Sequence, residues 1–575
     1  MAPWRDVRLP GWAVPWLAMI PVGLAVVWIS LLELALSKPR SLDDAFIVFV
    51  YAKHLLATGS FYWNAQEGSV DGFTSLLDVI AKAFATLLYG GRGITAGFWA
   101  TVVCHAGAAL AGSVVVFHLA RGRLLHRAIL AATAGLAIAS NPSLGFASSF
   151  LLEGPLVALG VVTACGLVMR DRWSRGTLVG LGTALVALSL TRPELVPISA
   201  GFAAFFAHQQ RELRLHQRLL PLYILASVLL VYFTWHWRVF GYLAPNTYFA
   251  KASDSRWSEI HDGWNYVSEF ARNRFRLGLL FMICLAPALS LGRWEGAAWR
   301  WRYLLVSSTA IVALGMIIVS GGDCYVGSRF FVLPIILFLV AISVAAARQQ
   351  GWYRAVPSAI LGIVAIASVQ GVVRKIPEAI AAIRMWPVSE ADFSCEIEAT
   401  TTLAHALPHT AWVQYDFQRA KYFQDEVVIV DGTGLSNQSI AHLPAPGQVL
   451  WGKGDAWRDF RLRPEVWFIG FHFMSSVPAT TYDPEDMASN PDVQHRLFGY
   501  GLPRELGEQI KDSYRLASVR ACDQYMNVLL RNDVAARLGD NDHVMVSNAS
   551  TAPGRSTDAA AAARHPPVDS NDDVR

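Results

Sequence analysis

The sequence predicts a polytopic α-helical membrane protein of about eleven transmembrane helices, followed by a C-terminal extracytoplasmic α/β domain. Three observations carry this expectation. Of 575 residues, 54% are hydrophobic and 16% are charged, where a soluble globular chain carries about 25% charged residues. The mean hydropathy is +0.35. The apolar residues fall in blocks, most of them about 17–24 residues long and several shorter, between positions 12 and 374, a length that crosses a bilayer, whereas the last 200 residues have an ordinary soluble composition. Twenty Trp suit interfacial belts. A net charge of +4 without a basic stripe excludes a nucleic-acid partner and leaves the lipid bilayer as the first partner.

Taken in order, the spans are expected at 13–36, 96–120, 127–140, 149–169, 176–190, 194–208, 219–240, 275–292, 303–320, 329–347 and 356–374. The apolar stretch of the first exceeds a signal-peptide core, so it is an anchor. Segment 75–89 carries Asp78 and Lys82 and is read as an interfacial helix. Arginines mark alternate connections: Arg5 and Arg8; Arg121, Arg123 and Arg127; Arg170, Arg172 and Arg175; Arg211, Arg214 and Arg218; Arg293, Arg300 and Arg302; Arg348 and Arg354. By the positive-inside rule these loops are cytoplasmic. The other connections and the C-terminal domain then face outward from a bacterial cytoplasmic (inner) membrane.

The domain limits expected are 1–374 for the membrane part, with its first outer loop at 37–95, 375–533 for the α/β domain and 534–575 for a disordered tail rich in Ala, Asp, Ser and Pro. Strand-like runs lie at Ala411–Tyr415, Val427–Val430, Gln448–Trp451 and Val466–Gly470. Trp412, Tyr415, Tyr422 and Trp451 read first as core, with a glycan-stacking face as the alternative. No cysteines form a CxxC pair, which argues against a zinc or redox motif. Cys395 and Cys522, alone in the exported part, are expected to form a disulfide.

The outward loops collect the unusual polar groups. Asp43 and Asp44 open an apolar run expected to lie on the membrane surface. Glu153 ends one loop, Thr191-Arg192-Pro193-Glu194 makes another, and Pro245-Asn246-Thr247-Tyr248-Phe249-Ala250-Lys251 a third. Gly321-Gly322-Asp323 and Gly327-Ser328-Arg329 share a fourth. Ionisable groups near membrane depth are costly and usually line a cavity. Either Asp43 or Asp44 is placed to take a proton from a hydroxyl; the bland alternative is helix capping. On a helix Tyr51 shares a face with Asp44 and could support it, and the pair also offers a divalent-cation site. Arg192, Lys251 and Arg329 suit a phosphate, or else snorkel at span ends. Gly321-Gly322 permits close approach of backbone to a ligand.

These segments resemble GT-C glycosyltransferases. Asp43-Asp44-Ala-Phe-Ile-Val-Phe-Val-Tyr51-Ala-Lys-His54, with Trp63-Asn64 and Val70-Asp71-Gly72-Phe73-Thr74-Ser75, is similar to their first outer loop, most of all in the mycobacterial terminal arabinofuranosyltransferase B branch. Thr191–Glu194, Pro245–Lys251, Gly321–Phe330, Glu153 and the tail segment Val427–His442 add to the likeness, which runs in order over most of the chain. Two positions depart: Val50 stands where the branch has Arg, and Asp71 where it has Glu. The resemblance implies transfer of a sugar, such as arabinofuranose, from a polyprenyl-phosphate donor to a hydroxyl of a cell-envelope glycan on the extracytoplasmic face. It implies Asp44 or Asp43 as the catalytic acid residue, Arg329, Lys251 and Arg192 at the donor phosphate, and Asn246, Tyr248, Glu194, Tyr51, His54, Glu153 and Asp323 around the pocket. Rival readings are transfer to protein or lipid A, and a lipid or sugar transporter or flippase. A transporter should show internal repeats and charges within spans; no clear repeat is present, and the charges gather at one face.

Overall fold

The computed structural model describes residues 13–36, 43–252, 255–323, 329–384, 390–414, 418–443, 460–469, 474–498, 502–538 and 543–547. The strand expected at 448–451, Tyr415, Trp451, the Gly327-Ser328 pair, the side chain of Asp43 and the tail beyond 547 lie outside them. The chain forms two compact units, Met1–Asp392 with Thr433–Gly454, and Phe393–Gly432 with Asp455–Arg575.

The first unit is helical. Its elements are α1 (Ala13–Leu36), α2 (Asp43–Thr58), α3 (Leu76–Leu88), α4 (Gly93–Leu119), α5 (Leu124–Ala139), α6 (Pro142–Ser149), α7 (Gly154–Val168), α8 (Arg175–Thr191) and α9 (Val196–Gln209). There follow α10 (Leu215–Phe240), α11 (Asn246–Lys251), α12 (Arg256–Ala271), α13 (Arg274–Leu285), α14 (Ala297–Val319), α15 (Val332–Arg348), α16 (Ala355–Val373) and α17 (Ile376–Ile383). Each expected span coincides with a helix or helix pair. Among the described residues, seven helices are long and apolar enough to cross a membrane, or eight if α5 and α6, bent by 48°, make one span. The other three expected spans, α7, α8 and α9, have only 15, 17 and 14 residues. At 1.5 Å per residue they reach about 21–26 Å, short of a hydrocarbon core of about 30 Å.

Helix α15 is apolar on every side and buried almost throughout, as befits a helix at the centre of a bundle. It packs against α4, α5, α7, α14 and α16. Helix α10 instead leaves Leu230, Val231 and Trp237 exposed, an outward apolar surface suited to lipid. Two readings of the first loop change. Helix α2, expected at the membrane surface, is buried from Ala45 to Ala52. It packs against α3 and α4, and Gly97 makes room for Phe49, whose ring would lie 2.4 Å from any Cβ there. Helix α3 exposes Ile80, Phe84, Leu87 and Leu88 and buries Asp78 and Lys82, so its charges point inward and its apolar face outward. Helix α17, beyond the expected limit of 374, packs on α1 through Ala379, Leu32 and Ala35.

The second unit holds a six-stranded sheet of β1 (Ala411–Gln414), β2 (Val428–Asp431), β3 (Val466–Phe468), β4 (Tyr514–Ala521), β5 (Gln524–Arg531) and β6 (Val544–Val546), in the order β2-β1-β3-β5-β4-β6. Strands β2, β1 and β3 are parallel, and the others pair antiparallel. Alternate side chains enter two cores: Trp412, Val466 and Phe468 in one, Val413, Trp467 and Ile469 in the other. Trp412 is fully buried, which removes it from any glycan-stacking face. Ordered structure passes residue 533: Asn532–Leu538 is helical and β6 pairs with β4, because Val544 fills the sheet's core. Cys395 and Cys522 are joined by a disulfide, with Cα atoms 5.7 Å apart.

Candidate active site

Six elements of the first unit bring charged side chains together. Asp44 lies in the first turn of α2. Glu153 precedes α7, and the turn before it contains Leu151 in the left-handed region at φ 55°. That turn is propped by Lys82, whose Nζ donates to Leu151 O at 2.7 Å and to Asp78 Oδ2 at 2.9 Å. Burial pushes the Asp78 carboxyl up, against the opposing pull of Lys82. Arg192 ends α8, held extended before the Pro193–Leu195 turn. Thr247 and Lys251 stand four residues apart on α11, hence on one face. Arg329 opens the turn leading into α15.

These groups pair selectively. Arg329 Nη1 donates to Asp44 Oδ2 at 2.8 Å, and Arg329 Nη2 to Asp323 Oδ1 at 2.9 Å, with Nε also on Asp323. Arg192 Nη1 donates to Glu153 Oε1 at 2.7 Å and its Nε to Glu194. Both guanidiniums lie over the Phe330 ring, at 4.7 and 5.4 Å, a cation–π contact that stiffens the pair. Burial works to raise the Glu153 carboxyl, but Arg192 and Arg329 hold it below its ordinary range. Among the described residues Lys251 has no ion pair.

Two adjoining cavities meet at this cluster. A cleft of about 550 Å³ is walled by apolar side chains, among them Val157, Phe233, Ala313, Met316, Ile317 and Leu333, and carries Arg192, Lys251, Arg329, Glu194, Tyr248, Arg256 and Glu259. A smaller chamber of about 60 Å³ is lined by Asp44, Glu153, Arg192, Lys251, Arg329, Thr74, Thr247 and Leu435. Thr74, Thr247, Arg192, Lys251, Arg329 and Phe330 line both. The two threonine hydroxyls touch at 3.0 Å.

Of the residues singled out from sequence, Asp44, Glu153, Arg192, Lys251 and Arg329 meet in the chamber, and Glu194 and Tyr248 line the cleft. The others support them. Asp323 grips Arg329 from behind. Tyr51, expected beside Asp44, is buried with its hydroxyl accepting the Gly72 N–H at 3.0 Å: it is nearly two helical turns along, so it braces the first loop. His54 stacks on Tyr62 at 4.0 Å and bonds its carbonyl at 2.8 Å, and lines neither cavity. Asn246 faces the segment around Gly434 (Nδ2 to Gly434 O, 2.7 Å). Gly321 and Gly322, with φ of 81° and 69°, close α14: Gly322 N donates to Ile317 O and Gly321 N to Ile318 O, a Schellman ending.

Among the described residues no group of three or more His, Cys, Asp or Glu could hold a metal ion, and the Asp44 carboxylate is engaged by Arg329. Sequence reasoning missed three contributors. Lys82 and Asp78 read from sequence as part of an interfacial helix, although an acid and a base four residues apart in an apolar helix are themselves a pairing signal. Thr247 lies within the Pro245–Lys251 segment but is uncharged, and its hydroxyl gives no signal of its own in the sequence. The Asp71–His236 pair, Nε2 to Oδ2 at 2.6 Å, joins residues 165 apart and left no local trace. Burial pushes the Asp71 carboxyl up, against the hydrogen bond from His236.

No protein-family model and no curated protein sequence matches this chain. Solved structures do. The apo crystal structure of ArnT from Cupriavidus metallidurans aligns with a TM-score of 0.51 at 14% identity, over 92% of this chain and 100% of that one. ArnT bound to undecaprenyl phosphate aligns at 0.44 and 15%, over 76% and 89%. The oligosaccharyltransferase AglB from Archaeoglobus fulgidus, with an inhibitory peptide and a dolichol-phosphate, aligns at 0.44 and 11%, over 91% and 75%. The likeness to apo ArnT shows the fold: a GT-C type bundle of membrane helices with a C-terminal domain.

Proposed function

We propose that the chain is a membrane glycosyltransferase that moves a sugar, arabinofuranose in the closest reading, from a polyprenyl phosphate to a hydroxyl of an extracytoplasmic glycan at the bacterial inner membrane. One observation carries the reading: an apolar cleft between membrane helices opens onto a chamber of carboxylates, and an ammonium without an ion pair among the described residues stands where the two meet. An isoprenoid chain matches the cleft walls. Its phosphate meets Lys251 first, since Arg192 and Arg329 are already engaged by carboxylates, and the two guanidiniums add field rather than free donors.

The sugar then occupies the chamber, where the Thr74 and Thr247 hydroxyls and the Glu153 carboxylate can bond its hydroxyls. Asp44 is the general base. It accepts the proton of the acceptor hydroxyl as that oxygen bonds the anomeric carbon, and the phosphate leaves with the electrons of the broken C–O bond, stabilised by Lys251. Arg329 Nη1, bonded to Asp44 Oδ2 at 2.8 Å, fixes the position of that carboxyl group in the chamber. A phosphate that draws on Arg329 loosens the Arg329–Asp44 pair. The roles of Glu194, Tyr248 and Asp323 are to shape and hold this arrangement, Asp43 is the alternative acid to Asp44, and the sheet unit, Phe393–Gly432 with Asp455–Arg575, is the acceptor-binding domain.

The test is turnover of a radiolabelled polyprenyl-phosphate arabinofuranose by the purified protein, with a short arabinofuranoside as acceptor. Release of polyprenyl phosphate matched by labelled product supports the reading. Movement of intact lipid-sugar across a bilayer without bond cleavage sinks it in favour of a flippase.

A further inference from the structure

The chain leaves the sheet after β2, and Thr433–Leu443 belongs to the membrane unit. Several contacts hold it there. Asn246 Nδ2 donates to Gly434 O at 2.7 Å and Leu435 O at 2.9 Å. The backbone N–H of the same Asn246 donates to Asp71 O at 3.0 Å, so one residue ties the first loop to this segment. Gly72 lies so close that a Cβ there would sit 2.9 Å from Ser436 Oγ and 2.8 Å from the Tyr51 hydroxyl. The His442 ring lies 4.3 Å from Tyr242 and 4.2 Å from Phe249. Gly434 has φ +80°, and a Cβ on it would stand 2.8 Å from Ala441 N, so the segment's own shape requires glycine. The outcome of these contacts is the position of Leu435, which lines the chamber with Asp44 and Lys251.

We propose that Thr433–Leu443 is a strap that closes one wall of the chamber against water, and that Asn246 is the positioning residue that holds it closed. The proposal rests on the transferase reading above. A glycosyl phosphate is open to water as well as to an alcohol. In hydrolysis the water oxygen bonds the anomeric carbon, the bond from that carbon to the phosphate oxygen breaks, and the water's proton passes to Asp44. Polyprenyl phosphate leaves with the bonding electrons, and free sugar is the second product. Transfer differs only in that the acceptor oxygen replaces water, so an enzyme that presents Asp44 must keep water from it. An apolar side chain held over the chamber by a buried amide does this, and an amide bonded to two successive carbonyls fixes the strap's backbone and not merely its side chains.

Three variants of the full-length protein test this. Asn246→Asp keeps the shape but cannot donate to the two carbonyls. Gly434→Ala strains the strap without touching Asn246. Leu435→Ala opens the wall and leaves the anchors alone, and it serves if the others fail to fold. With two net hydrogen bonds lost, amide exchange over 433–443 should rise by about tenfold or more in Asn246→Asp, with α15 unchanged. The ratio of free sugar to transferred sugar should rise by about tenfold in all three, whereas a loss of folded protein alone lowers both products together. Unchanged exchange in Asn246→Asp and Gly434→Ala overturns the clamp. Faster exchange with an unchanged product ratio overturns the exclusion of water. Failure of the unmodified protein to cleave the lipid-linked sugar overturns the transferase reading and with it the exclusion step, while exchange over 433–443 still decides the clamp.

Discussion

Replacing Lys251 by methionine separates donor binding from folding. Three cations line both cavities, but Arg192 is bonded by Glu153 and Glu194, and Arg329 by Asp44 and Asp323. Lys251 lines both cavities and leaves no carboxylate behind when it goes. A charge-assisted hydrogen bond to a phosphate is worth about 1.5–3 kcal/mol. Lys251→Met should therefore raise the Kd for a polyprenyl monophosphate by about 10- to 150-fold, while costing about 0.5 kcal/mol or less of stability. Arg329→Met should behave differently in kind. It leaves Asp44 and Asp323 without their shared guanidinium at a buried position, a change that costs about 3–5 kcal/mol. Any loss of binding there is mixed with loss of the site. The assay is titration of a polyprenyl monophosphate into purified protein in zwitterionic nanodiscs, with thermal unfolding of the same samples. If Lys251→Met binds within about twofold of the unmodified protein, a difference of roughly 0.4 kcal/mol, the assignment of the phosphate to the junction of the cavities is wrong.

Asp44→Asn should lower turnover by about 10²–10⁴-fold, the usual worth of a general base, and leave polyprenyl phosphate binding within a few-fold; turnover near normal in both Asp44→Asn and Asp43→Asn would remove the acid pair from the chemistry. Glu153 titrates below its ordinary 4.5 because, against the effect of burial, Arg192 and Arg329 favour its charged form. A carboxyl with a lowered folded pKa contributes stability above its unfolded value and loses it as pH falls through the folded one; melting temperatures should thus drop on acidification below pH 4.5, more steeply in the parent than in Glu153→Gln, and equal slopes would contradict this. Replacing Cys395 and Cys522 together by serine opens a loop of 127 residues and should cost about 4–5 kcal/mol in the chain-entropy model, read as a lower denaturant midpoint for the sheet unit; a midpoint that does not move would show that the loop is already restrained.

The fold class was legible because membrane helices announce themselves by composition over a window of fixed length, and all eleven apolar blocks are helical. The blocks at 176–190 and 194–208 are short in the sequence itself, whereas the block at 149–169 is shortened by the fold. Helix α7 begins only at Gly154, after Glu153, α8 stops before Arg192, and α9 begins just after Glu194, so charge and proline bound all three at the same side of the site. Helix α2 misled for a related reason. Its run from Ala45 to Ala52 has no polar face, which fits either lipid or protein on all sides, and only packing against α3 and α4 decides. In the sheet unit β1, β2 and β3 stood out as short apolar runs. The β4–β5 hairpin did not, since Arg515, Arg520 and Asn527 break its pattern, and β6 was lost in a segment read by its polar composition.

The site was legible as a place and not as a mechanism. Loop charges gathered on one side of the predicted topology are a property of sequence order, so Asp44, Glu153, Arg192, Lys251 and Arg329 could be assembled without coordinates. Their pairing is not such a property. Asp44 and Arg329 are 285 residues apart and Glu153 and Arg192 are 39 apart; only the second acid on each arginine, Asp323 and Glu194, lies within six residues of it. Yet pairing decides the chemistry. A guanidinium with two carboxylates offers a phosphate less than an ammonium with none, and a carboxylate gripped by arginine is fixed in place. Three residues that read as equivalent phosphate ligands thus differ in the structure: Arg192 and Arg329 each hold two carboxylates, while Lys251 has no ion pair among the described residues.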